Sequence, residues 1–128
     1  MKWFIALALV LCLSVSGFAQ YNKQVSPAEE KKSIAKLLKQ HTATKAAYAK
    51  KPKDPKAKKA YVDTNVALGL QYTYSNTVDR KEKYKLALKY LREALRLDPK
   101  NKDAKQMHDQ IVAIYKSMGR PVPGDPKG

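Results

Sequence analysis

Histidine is the side chain best suited to proton transfer near neutral pH, and this chain has two, His41 and His108. They lie far apart, on different expected helices. A lone histidine on a helix serves packing or meets solvent far more often than it holds a metal or acts as a base. His108 adjoins Asp109, but neighbouring helical positions face different ways, so the pair is not expected to act as a dyad. The other acids are scattered, without the spacing of a metal site or a carboxylate pair. No Gly-rich phosphate loop is present, and no serine or threonine sits in a recognisable nucleophile elbow. The one cysteine is Cys12. These features point to a non-catalytic chain without metal or cofactor.

Contact chemistry is better supplied. Of eight tyrosines, Tyr61, Tyr72, Tyr84 and Tyr115 fall on apolar stripes and read as core. Tyr74 and Tyr90 fall off them, and an exposed tyrosine such as Tyr74 makes a good partner contact. Lys50, Lys51, Lys53, Lys56, Lys58 and Lys59 cluster around Pro52 as the densest electrostatic patch; a solvated loop accounts for them equally well. The whole chain carries a net charge of +15. Such a surface favours polyanions: nucleic acid, anionic lipid, acidic envelope polymers or acidic proteins. Lysines spread along the whole chain also simply solvate helix faces.

The first residues bear on which polyanion is available. Lys2, the apolar run Trp3 to Ser16 and the small residues of Gly17-Phe18-Ala19 have the layout of a secretory signal peptide, with cleavage expected after Ala19. The run is shorter than the roughly 20 residues that span a bilayer comfortably; an uncleaved anchor is the alternative. Cys12 leaves with residues 1–19, so the mature chain has no disulfide and must be stabilised by packing. The product is expected outside the cytoplasm, periplasmic or secreted, where nucleic acid is not the natural partner.

Four helices should position these residues, and no segment alternates with a two-residue period. Ser26-Pro27-Ala28-Glu29 has the form of a capping box, and the first helix is expected from Pro27 to Lys50. Asp54-Pro55 starts a second, with two apolar stripes; such a helix must touch more than one neighbour. Ser75-Asn76-Thr77 ends it. A third begins near Val78-Asp79, with Tyr84, Ala87, Leu88, Leu91, Ala94 and Leu95 on its inner side, and stops at Asp98-Pro99. Asn101 caps a fourth, which Gly119 closes. The domain therefore spans residues 26–119, and 120–128 is expected as a flexible tail.

Within this all-α layout, Leu68-Gly69-x-x-Tyr72 and Ala87-x-x-x-Leu91 with Ala94 and Pro99 resemble the tetratricopeptide repeat. Gly69, Ala87 and Ala94 would lie at the seam where two helices cross closely. The departures are Asn65, where that family usually has an aromatic, and six extra residues between Tyr72 and Ala87. The resemblance covers about one repeat, residues 60–101, plus a capping helix. It implies antiparallel helical hairpins in a right-handed α-solenoid fragment, with a concave face that holds a peptide or protein segment. That face would show Asp63, Val66, Leu70, Thr73 and Tyr74, continuing onto Asp103, Gln106 and Gln110. One repeat makes a short groove. Either the first helix completes it, or binding is weak, or the protein assembles with itself. The competing reading is a basic helical protein that adheres to an anionic membrane or envelope polymer.

Overall fold

The computed structural model describes residues 25–125. The segment read as a signal peptide, with Cys12, lies outside the described residues. Four helices form, α1 (Pro27–Lys50), α2 (Pro55–Thr73), α3 (Arg80–Leu97) and α4 (Lys102–Ser117), and no strand occurs among the described residues. No helix there is long and apolar enough to cross a membrane.

The helix ends sit where local chemistry demands. The Ser26 hydroxyl accepts from the Glu29 amide, and the Glu29 carboxylate accepts from the Ser26 amide at 3.1 Å, which completes the capping box. Asp54, Asp79 and Asn101 each accept a backbone N–H from the first turn of α2, α3 and α4. Beyond α4 the Arg120 amide bonds the Tyr115 carbonyl and the Gly119 amide the Lys116 carbonyl, with Gly119 at φ +63°. This Schellman geometry needs a residue that tolerates positive φ.

Helix α2 is central and packs on α1, α3 and α4; α4 also packs on α3. No Cα of α1 comes within 8 Å of one in α3 or α4. Leu68, Leu88, Leu91 and Ile111 are fully buried, each stabilising the fold by about 1.5–3 kcal/mol before entropy. The α2–α3 seam is tight for the expected reason. A Cβ on Gly69 would lie 2.5 Å from Leu91 Cδ2, and Ala87 and Ala94 have no exposed surface.

Three features depart from the sequence reading. Residues 120–125 do not form a loose tail. Val122 is buried, and Arg92 on α3 donates to the Pro123 carbonyl at 2.5 Å and to Asp125 at 2.7 Å. Tyr90 is not off the packed surface but buried in it, because α3 meets α2 over a wider face than its Leu stripe suggests. His108 and Asp109 do meet, at 3.1 Å, as an exposed pair in which Lys105 also holds Asp109 at 2.9 Å.

The six residues between α2 and α3 are fastened from a distance. Glu30, in the first turn of α1, is only 5% exposed. Its carboxylate accepts from the Ser75 hydroxyl, from the Thr77 hydroxyl at 2.8 Å, and from the amides of Asn76 and Thr77 at 3.2 and 3.3 Å. Burial pushes the Glu30 carboxyl up, but these donors together outweigh it and hold the group below its ordinary value.

Candidate functional site

Because α2 lies between them, α1 and α3 are held apart, and a cleft of about 550 Å³ opens along their outer edges. The α1 wall comes from Leu38, His41, Thr42, Lys45, Ala46 and Ala49, which follow the three-to-four residue spacing of one helix face. Lys89 and Tyr90 form the α3 wall. Ala46 and Ala49 are exposed and short, which leaves the space empty.

Beneath the cleft the helices are joined by rings. The His41 ring meets the edge of Tyr90 with centroids 5.1 Å apart, and Tyr61 at 5.4 Å. Tyr48 stacks on Tyr61 at 5.5 Å, and Tyr72 on Tyr90 at 5.8 Å. Five rings from three helices thus form one continuous ladder. Pairs in this range add about 0.5–1.5 kcal/mol each beyond their buried area.

Asn65 sets the orientation of the histidine. Its side-chain amide donates to the Tyr61 carbonyl at 2.8 Å, so its oxygen is left to accept from His41 Nε2 at 3.2 Å. Neutral His41 therefore carries its proton on Nε2. Burial holds its pKa below the ordinary histidine value despite the Asn65 bond, and the charges of Lys45 and Lys89 act in the same direction as burial. Asn65, which stands where the repeat family usually has an aromatic, is thus a fully buried polar residue with its hydrogen bonds satisfied.

The charges around the cleft are unequal. Glu93 accepts from Arg96 at 2.6 Å and from the Tyr61 hydroxyl at 3.1 Å. The Arg96 bond, and then the Tyr61 bond, keep its carboxyl below the ordinary value against the upward push of burial. The phenols of Tyr61, Tyr72 and Tyr90 are raised by burial and remain protonated. Among the described residues, Lys45 and Lys89 have no carboxylate within 4 Å; Lys89 lies 5.4 Å from the Tyr90 ring centroid. What remains is an aromatic floor with two cations at its rim, an arrangement suited to binding.

The expected α2–α4 face lies elsewhere. Helices α2 and α4 touch, and Asp63, Tyr74, Asp103, Gln106 and Gln110 are exposed. Leu70 and Thr73 are half-buried. Asp63 pairs with Lys59 at 2.6 Å, and the Thr73 hydroxyl donates to the Gly69 carbonyl of its own helix. Val66 is only 8% exposed and belongs to the core, since the second apolar stripe of α2 is spent on a neighbouring helix. Tyr74 is 53% exposed. None of these eight residues lines the cleft. The lysines around Pro52 are all exposed at the α1–α2 turn.

Sequence reasoning missed Lys45, Lys89 and Tyr90 as a group. A signal existed. Ala87, Tyr90, Ala94 and Leu97 repeat at helical spacing, marking a second packed face on α3. No known family, curated protein or solved structure matches the chain.

Proposed function

We propose that this chain is an exported, non-catalytic interaction module that holds a segment of a partner protein between α1 and α3, on a helix-pair scaffold resembling the tetratricopeptide repeat. The observation that carries this reading is the open cleft of about 550 Å³ with Tyr90 and His41 as its floor. Aromatic side chains with an apolar body and a polar end are favoured at contact surfaces. The close crossing at Gly69 supports the scaffold resemblance. The apolar run ahead of Ala19 supports export.

A second reading, adhesion to an anionic membrane or envelope polymer, is favoured by the net charge of +15. Capture from envelope extract separates the two. The module reading expects the same proteins to remain bound, though more weakly, near 1 M salt, where the Debye length is about 3 Å, and their loss with Ala46→Glu, which blocks the cleft. Retention that disappears with salt and ignores Ala46→Glu overturns it in favour of adhesion.

A further inference from the structure

We infer that the α1–α3 cleft receives an acidic segment of its partner, with a carboxylate between Lys45 and Lys89 and an adjacent apolar or aromatic side chain on the Tyr90–His41 floor. This rests on the module reading and names its ligand chemistry.

Charge complementarity carries the inference. Most exposed ion pairs of this protein join neighbours on one helix, as in Lys59–Asp63, Glu82–Lys85, Glu93–Arg96 and Lys105–Asp109. Lys45 and Lys89 stand on different helices, on opposite walls of one cleft, without such a partner among the described residues. Glu93, the acid whose charge reaches both Lys45 and His41, is taken up by Arg96 and Tyr61. A cleft with two cations outside any ion pair of the described residues and a low, apolar floor selects an anion that also brings apolar surface. A fully hydrated polyanion would use the lysines and leave the floor unfilled. A peptide that places Asp or Glu beside Leu or Phe uses both.

His41 reports the event. Lys45 faces it from its own helix, Tyr61 and Asn65 from α2, and Lys89, Tyr90 and Glu93 from α3. A carboxylate arriving between the two lysines offsets their charges, which act on the imidazole beside the larger effect of burial, and so changes the surroundings of the ring.

The test uses the full chain and four probes. These are a short synthetic peptide alternating Glu or Asp with Leu and Phe, its Gln/Asn analogue, its Lys analogue, and vesicles of phosphatidylserine with phosphatidylcholine. The acidic peptide is expected to bind, with the Gln/Asn analogue weaker by on the order of tenfold. Lys45→Ala with Lys89→Ala should weaken it by a similar factor, while Lys100→Ala with Lys102→Ala changes it less than about twofold. Ala46→Glu, at an exposed position, should abolish binding and leave the helical circular dichroism unchanged. The His41 ring resonances should shift on addition of the acidic peptide, and much less in the Lys45→Ala, Lys89→Ala variant. Equal binding of the Gln/Asn or Lys analogue, still blocked by Ala46→Glu, overturns the acidic preference but leaves the module reading standing. Peptide binding indifferent to Ala46→Glu, or none at all, overturns both. Vesicle binding that needs Lys45, Lys89 and Ala46 while the peptide fails overturns the inference and makes the cleft a lipid site.

Discussion

The α2–α3 seam and the α1–α3 cleft use opposite means. At the seam, Gly69, Ala87 and Ala94 remove side-chain volume, so two helices close on Leu91 and no space is left. Around the cleft, Tyr48, Tyr61, His41, Tyr90 and Tyr72 supply volume, so α1 and α3 are bridged by rings and never approach as backbones. The first arrangement gives stability and shape. The second gives a surface. A helical domain of this size can therefore hold a stable centre while leaving one flank unfilled.

The contrast is broken most severely by releasing α1. Glu30→Ala removes the acceptor of four hydrogen bonds and leaves the buried Ser75 hydroxyl without it. Hydrogen bonds to a charged group contribute about 1.5–3 kcal/mol each but are not additive, so a loss of about 3 kcal/mol is expected in urea unfolding. Hydrogen exchange should quicken in α1 first, with α2, α3 and α4 protected longer. Uniform loss across all four helices would mean that seam and cleft are one cooperative unit.

Next in size is added volume. Gly69→Ala forces a methyl against Leu91, and the overpacking, less the helix propensity gained, should cost about 1–2 kcal/mol. Ala46→Leu adds more volume to the open flank and should stay within about 0.5 kcal/mol of the parent in thermal unfolding. Equal penalties would show that the flank is not open. Recognition supplies the third comparison. Partner capture should be lost with Ala46→Glu and fall less than about twofold with Leu70→Ser plus Tyr74→Ala; the reverse ranking moves the site to the α2–α4 face.

The smallest effect is in pH. The folded-state pKa of His41 is depressed, so the unfolded chain takes up the proton first. Stability is complete above the ordinary histidine value and declines as pH falls below it. Glu30 is also depressed, so its contribution persists through that range and is lost only below the ordinary carboxylate range. His41→Gln should remove the upper step and keep the lower one, read from unfolding midpoints across acid pH. If both steps persist, His41 is not the group that titrates.

Much of the frame was legible because it is local. Ser26 with Glu29, Asp54 with Pro55, Asn101 and Gly119 act within a few residues, and the helix bounds follow from them. The small residues at the seam were legible as well, since a buried glycine at helical spacing implies close approach. The rest depends on distant partners. Glu30 is one of two acids in the first turn of α1, yet its donors lie more than forty positions later. Nothing local to Arg92 points to residues 123 and 125, which it holds. Tyr90 reads as off-stripe because a stripe assumes one neighbour, and α3 has more than one. The cleft itself exists only where two helices fail to meet, and no run of residues announces that.

The grip of Glu30 on residues 75–77 also orders events in time. During synthesis α1 emerges long before its anchor. Its Lys-rich sequence buries only Glu30 and Ile34, which gives it little reason to persist alone. Helix α1 is therefore expected to gain its full helicity only once the loop after α2 has cleared. A fragment ending at Thr73 should show weak helicity by circular dichroism, and one extended to Asp98 should recover it. Delayed closure of this kind leaves the order of folding to the loop rather than to the helix that emerges first.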